Sequence, residues 1–321
     1  MSTRYTAPWW LPGGHLQTIW PLTRKSALPP LRRERVDTPD GDFVDFDWLA
    51  DAPDDAPLLV LFHGLEGSSR SHYARSLLLA AAARGWRAVV AHFRGCSGEA
   101  NRLTRAYHSG DSDEIDWMLA RFRRDAGSAP LFAVGVSLGG NALLKWLGER
   151  ADSAHDRLSA AAAVCPPLDL TVSGDALARG FNRIYTRHFL ATLRPKALAK
   201  LALEPGLFDR ERMLRAATLR DFDDVYTAPV HGFRDADDYW TQASSRPWLA
   251  RIAVSTLLLT AVNDPFVPAP ALPSESERSS AVHHHHLATG GHVGFVSGRW
   301  PGHLDWLPET VLEFFVRTHL Q

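Results

Sequence analysis

The chain has 321 residues, is 45% hydrophobic and 22% charged, and carries a formal net charge of −1. That length holds one large domain or two ordinary ones, and the composition is that of a globular protein in water. Near-neutral charge with scattered Lys and Arg gives no long-range field for nucleic acid or an anionic membrane, two cysteines cannot make a disulfide framework, and no apolar run reaches the 18 residues of a membrane span.

Residues 1–33 are rich in Pro and Trp and read as an irregular arm packed on the core. Its start, Met1-Ser2-Thr3-Arg4-Tyr5, lacks the apolar stretch of a signal peptide. With Cys96 and Cys165 expected as reduced thiols, the chain reads as cytoplasmic. Trp9, Trp10 and Trp20 permit a peripheral contact with lipid, but an arm covering its own domain is the preferred reading.

The segments 35–39 and 43–48, joined through Asp40-Gly41-Asp42, read as a hairpin. A βα rhythm follows. Leu58 to Phe62 is a strand, 72–84 a helix, Trp86 to His92 a strand and 111–124 a helix. The apolar run 130–134 is a strand, the segment from Asn141 is a helix, and Leu158 to Val164 is a strand. From 167 to 250 the chain is polar, helical in propensity and without a central strand, so it reads as an inserted lid. The rhythm resumes with strands at 254–261 and 281–287 and a last amphipathic helix near 305–318. Near-continuous apolar strands alternating with helices predict an α/β fold. The sheet is mostly parallel with helices on both faces, built from 34–166 and 251–321.

Within that rhythm, Gly135-Val136-Ser137-Leu138-Gly139 falls between a strand and a helix. A serine on so sharp a turn needs small residues two positions before and after, and it presents its hydroxyl at a helix N-terminus. The strands at 254–261 and 281–287 run into Asn263-Asp264-Pro265 and Gly290-Gly291-His292, at the sheet edge where open α/β folds bind ligands. Ser137, Asp264 and His292 therefore read as nucleophile, orienting acid and general base. Asp169, at the end of the preceding strand, is a rival acid, and His303 reads as structural. Leu138 and Leu65, the latter in His63-Gly64-Leu65-Glu66-Gly67, are the expected backbone donors of an oxyanion hole. His63, Gly64 and His108 are candidates to line the substrate pocket. Ser109 or Asp111 reads as the cap of the following helix.

His283 to His286 alternate faces in a strand, so only two share a side, and no physiological metal site is expected there. In the lid, Leu168, Leu170, Phe181, Tyr185, Phe189 and Phe208 could form an acyl pocket or the lid's own core.

Several blocks together resemble one family. They are Pro12-Gly13-Gly14-His15-Leu16-Gln17-Thr18-Ile19-Trp20, the His63–Ser69 loop, Phe93-Arg94-Gly95-Cys96-Ser97-Gly98-Glu99 with Tyr107-His108-Ser109-Gly110, the Ser137 turn, and Gly290-Gly291-His292-Val293-Gly294-Phe295. They are similar to the YheT-like α/β-hydrolases of bacteria, relatives of eukaryotic phospholipase-like hydrolases and yeast medium-chain ethanol acyltransferases. The resemblance covers nearly the whole chain and is loosest over 167–250. It implies the α/β-hydrolase fold, the triad positions Ser137, Asp264 and His292, and carboxylic-ester chemistry on short- to medium-chain acyl groups with no cofactor. A serine carboxylesterase acting on a small-molecule ester is the leading expectation. An alcohol acyltransferase using the same acyl-enzyme is the first alternative, and a non-catalytic binding protein on the same scaffold is the second.

Overall fold

The computed structural model describes residues 5–24, 27–50 and 52–319. Met1-Ser2-Thr3-Arg4, the start of the expected arm, lies outside the described residues. Eight strands form one sheet: β1 (Leu31–Asp37), β2 (Phe43–Leu49), β3 (Leu58–Phe62), β4 (Arg87–Ala91), β5 (Leu131–Val136), β6 (Ala160–Val164), β7 (Thr256–Ala261) and β8 (Val282–Leu287). Their order is β1-β2-β4-β3-β5-β6-β7-β8. From β4 to β8 every neighbouring pair is parallel, and β2 joins the edge at β4 antiparallel.

Side chains alternate across these strands and so build two cores. On one face Leu58, Val60, Ala133, Ala161 and Leu258 pack under α3 (Ser112–Ala126) and α4 (Leu138–Arg150). On the other, Leu59, Leu61, Phe132, Val134 and Leu257 meet α2 (His72–Ala83) and the C-terminal helix Trp306–His319. The chain is α/β, with a mostly parallel sheet covered on both sides. Asp111 caps α3, accepting a hydrogen bond from the Glu114 N–H.

The arm departs from the irregular reading. It contains a helix, α1 (Gly14–Thr23), with Pro21 inside it. The residues α1 buries are Gln17, Thr18 and Pro21, so the usual apolar stripe is missing. The first hairpin strand also begins four residues earlier than expected, at Leu31.

Between β6 and β7 the chain forms α5 (Leu170–Leu177), α6 (Arg183–Leu203), α7 (Arg210–Arg215), α8 (Leu219–Phe222), α9 (Ala228–Val230) and α10 (Ala236–Ala243). A π-turn over Asp223–Thr227 links α8 to α9. This insertion has its own small core of Leu190, Met213, Phe222, Val225 and Tyr226. Its two ends are stitched together: the Arg246 N–H donates to the Leu168 carbonyl at 3.0 Å, and the Leu170 N–H to Ser244 Oγ at 3.0 Å. From α4, the Asn141 amide donates to the Ala243 carbonyl and accepts from the Ser245 N–H.

On β2, buried Asp47 accepts hydrogen bonds from Arg33, Ser69 and His92. Burial alone would raise its pKa, but the bonds from His92, Arg33 and Ser69 outweigh burial and hold the carboxyl far below its ordinary value of 3.8. A depressed carboxyl contributes stability that is present above its unfolded pKa and lost as pH falls toward the folded value. Asp47→Asn is therefore expected to cost about 3 kcal/mol at pH 7, with the gap to wild type narrowing toward pH 3. Urea unfolding at several pH values checks this, and a gap independent of pH would contradict it.

Candidate active site

Ser137 sits where β5 turns into α4, at φ 51° and ψ −118°. A Cβ on Gly135 would lie 2.5 Å from the Gly139 carbonyl oxygen, and one on Gly139 would lie 2.5 Å from that of Phe62. No larger residue fits at either position without moving the backbone. The turn holds the serine at the N-terminus of α4, where the first N–H groups of the helix have no intrahelical acceptor.

His292 Nε2 lies 2.9 Å from Ser137 Oγ, and His292 Nδ1 lies 2.8 Å from Asp264 Oδ2. The other Asp264 oxygen accepts from the N–H groups of Phe266 and Val267. With Oδ2 able only to accept, Nδ1 carries the proton and Nε2 presents a lone pair to the serine hydroxyl. The Phe266 ring stacks on His292 with centroids 4.2 Å apart. The rival acid Asp169 caps α5 instead, accepting from the Val172 N–H, and His303 is half-exposed and paired with Asp305.

The histidine loop is held at every residue. The N–H of Gly290 donates to Gln17 Oε1, that of Gly291 to Asn263 Oδ1, that of His292 to Thr18 Oγ1, and that of Val293 to Cys165 Sγ. Gln17 also accepts from the Asn263 side chain. Two of the four acceptors lie on α1, so the arm positions the histidine. In the sequence Gln17 and Thr18 stand out only as part of the Pro12–Trp20 block. The signal that would have found them is two polar residues on the buried side of a short helix. Gln17→Leu, which keeps the volume but removes both acceptor roles, is expected to lower kcat about 10- to 100-fold with KM little changed. Steady-state kinetics on a soluble ester would show it. A loss confined to KM would place Gln17 in binding instead.

The loop after β3 is fixed just as closely. His63 Nε2 accepts from the Phe93 N–H, so Nδ1 carries the proton and donates to the Gly64 carbonyl at 2.8 Å. Burial pushes the His63 pKa down to about 3 and keeps this ring neutral. The Gly64 N–H donates to Tyr73 Oη, and the Glu66 N–H to Tyr107 Oη. Between these tethered peptides the Leu65 N–H has no acceptor among the described residues, and neither has that of Leu138. Both leucines line the cavity at Ser137.

That cavity has a volume of about 480 Å³. Its walls are mostly apolar, with Leu170, Leu177, Phe189, Leu193, Leu219 and Phe222 contributed by the insertion. Of the lid residues singled out from sequence, Leu170 and Phe189 reach it. Leu168 is buried in the main core, Phe208 packs within the insertion, and Phe181 and Tyr185 lie outside beside His15. Polar groups also line it: Lys196 pairs with Glu66 at 2.7 Å, and Lys200 donates to the Asn101 carbonyl. Asp223 also faces the cavity; burial raises its pKa to about 6, while Trp240 donates to it.

Of the three residues expected to contact substrate, only His108 lines the cavity. His63 is fully buried behind the loop, and Gly64 serves as part of the loop that carries Leu65. Burial lowers the His108 pKa to about 3, and its Nδ1 accepts from the Gly110 N–H.

Among the described residues, one grouping has metal-ligand geometry. Cys165, Asp264 and His292 place ligand atoms within 4.8 Å of one another. His292 has both nitrogens committed to Asp264 and Ser137, and burial holds the Cys165 thiol up in its neutral form. The trio fits a hydrogen-bond chain better than a cation. In β8, His284 stacks on His286 on one face while His283 meets Phe314 on the other.

The α/β hydrolase fold family model matches residues 57–298. YheT of Escherichia coli (strain K12), whose name describes it as a candidate esterase, is 41% identical over 313 residues, covering 96% of this chain and 91% of that protein. Human phospholipase ABHD3 is 27% identical over 98% of this chain and 78% of its own length. The medium-chain fatty acid ethyl ester synthase/esterase 2 of Saccharomyces cerevisiae is 29% identical, covering 82% of this chain and 62% of that protein. Among solved structures, a Pyrococcus furiosus esterase superposes with a TM-score of 0.58 at 14% identity, over 98% of this chain and 96% of that one, a likeness of fold. The chain belongs to the α/β-hydrolase family, in its YheT-like branch, and is a relative of esterases.

Proposed function

We propose that the protein is a serine carboxylesterase acting on short- to medium-chain esters. The observation that carries this reading is the unbroken hydrogen-bond chain from Asp264 through His292 to Ser137, opening on an apolar cavity of about 480 Å³.

In this mechanism Ser137 Oγ attacks the ester carbonyl as its proton passes to His292 Nε2. The carbonyl oxygen becomes an oxyanion held by the Leu65 and Leu138 N–H groups, the first of them on a loop fixed by the tethered Gly64 and Glu66 peptides. Asp264 keeps the imidazole in place and stabilises its cation. The tetrahedral intermediate collapses, His292 gives its proton to the departing alkoxide, and the acyl group stays on Ser137. Water, deprotonated by His292, then releases the acid. An alcohol in that position would give a new ester by the same steps. The apolar walls favour this second outcome where they thin the water around the acyl-enzyme, and the yeast relative named as both synthase and esterase supports keeping it in view.

The test is turnover of p-nitrophenyl esters from acetate to palmitate, with and without added ethanol. A maximum at one chain length with acid as product supports the esterase. Ethyl ester as the main product would make the protein an acyltransferase. Folded protein with no turnover and no labelling of Ser137 by a fluorophosphonate would overturn both.

A further inference from the structure

The overall charge of −1 conceals a pronounced segregation. Residues 1–33 contain five Arg or Lys and no Asp or Glu, and residues 176–203 contain six and again no acid. The fold brings these two acid-free segments together. His15 of α1 packs its ring on Phe181, 4.5 Å between centroids, and its Nδ1 lies 3.1 Å from Tyr185 Oη. On its other side α1 carries Trp20, which contacts Trp10 and Trp300.

This joined face is also where large apolar side chains are exposed. Trp9 is 92% exposed, Leu22 and Trp300 66%, Phe181 51%, and Leu16 and Ile184 50%. Five of the twelve large exposed apolar residues of the described chain thus lie on α1, its flanks and the approach to and start of α6, and a sixth, Trp300, packs its ring against Trp10 and Trp20. Isolated exposed leucines are ordinary, but several tryptophans and aliphatics gathered on one face are not. Arg24, Arg183, Arg187 and Arg299 each stand within three residues of one of these apolar side chains and have no carboxylate partner among the described residues. Asp305, the nearest acid beyond Trp300, is itself paired with His303. Tryptophan and aliphatic side chains flanked by arginine match the chemistry of a bilayer surface, where rings settle at headgroup depth and the cations meet lipid phosphate.

We propose that the face formed by α1, its flanks and the start of α6 docks on an anionic phospholipid bilayer. Docking there sets the bilayer two rings away from His292, because exposed Phe181 packs on Tyr185, Tyr185 on Phe266, and Phe266 stacks on His292. The same α1 that meets the lipid holds the His292 N–H through Thr18. A membrane-bound ester would therefore reach the cavity without crossing open water. The docking itself does not depend on the esterase reading.

The experiment is co-sedimentation with extruded vesicles of phosphatidylcholine alone and of phosphatidylcholine with about one third phosphatidylglycerol. Wild type is expected to sediment with the mixed vesicles and to stay in solution with the neutral ones, with its tryptophan emission shifted to the blue on binding. The pairs Arg183→Glu with Arg187→Glu, and Trp9→Ala with Leu22→Ala, are each expected to weaken partitioning at least about tenfold. Both pairs should turn over a water-soluble short ester at the wild-type rate, which also shows that they fold. Wild type remaining in solution with both vesicle types would overturn the proposal, as would either variant pair binding as wild type does. A dimer in solution that Trp9→Ala with Leu22→Ala converts to monomer would overturn it too, by assigning the face to self-association. Vesicle binding without any ester turnover would leave the docking standing and sink the esterase reading.

Discussion

Ser137→Ala is expected to lower kcat/KM for p-nitrophenyl esters by about 10⁴- to 10⁶-fold, with the unfolding midpoint close to wild type. The size of the loss follows from where the hydroxyl sits. It is the one group in the cavity aligned with His292 Nε2, and without it the imidazole has no nucleophile to deprotonate. Alanine keeps the Cβ at the same positive φ, so the strain of the turn is unchanged and no new side-chain contact arises. What remains is the Leu65 and Leu138 N–H pair, able to polarise a carbonyl for attack by free water. Steady-state rates beside a thermal melt decide the matter. A folded variant retaining about a tenth of the activity would remove Ser137 from the chemistry.

The second large effect is expected at Asp264. Its Oδ1 accepts from two backbone N–H groups, Phe266 and Val267, while Oδ2 accepts from His292 Nδ1. In Asp264→Asn the amide oxygen must stay with the two backbone donors, because the NH₂ group cannot accept from them. The NH₂ then faces Nδ1 and makes it an acceptor. The ring proton moves to Nε2, where it points at Ser137 Oγ and blocks proton removal. A loss in kcat of about 10⁴ follows, with little change in KM or fold. NMR of the ring nitrogens would show the tautomer directly. Full activity in the asparagine variant would mean that His292 is oriented by something other than Asp264.

Much of this could be read in the chain before any coordinates. The strands of the sheet are apolar runs bounded by turns, and the glycine spacing around Ser137 reflects a clash that the fold makes explicit at Gly135 and Gly139. The acid and the histidine stand directly after two late strands, and the fold brings both to the serine. What escaped notice is equally physical. Helix α1 starts with glycine, contains Pro21, and turns Gln17 and Thr18 inward while Leu16 and Leu22 face outward. Its periodicity therefore runs opposite to the rule by which helices are recognised. The pocket walls escaped for another reason. Phe189 and Phe181 are both aromatic and close in sequence, yet the first lines the cavity and the second covers His15, a distinction set by how α6 lies across the sheet. His63 looked like a substrate contact because it precedes the loop glycine. Its two ring nitrogens instead bridge that loop to the Phe93 N–H.

The stitching of residues 168–170 to 244–246 gives the insertion a single point of departure and return. Topologically it is one long hairpin hung from the sheet edge, and the cost of closing such a loop grows only slowly with its length. Helices there can lengthen, shorten or be exchanged as a cassette while the eight strands keep their register. Asn141 sets the terms of such an exchange, since its amide grips both sides of the returning strand of chain from within the helix that follows Ser137. Any replacement that offers a carbonyl and an N–H at that grip inherits an aligned serine. Under the proposed esterase reading, preference for one ester over another can therefore drift in the cassette while the chemistry beneath it stays constant.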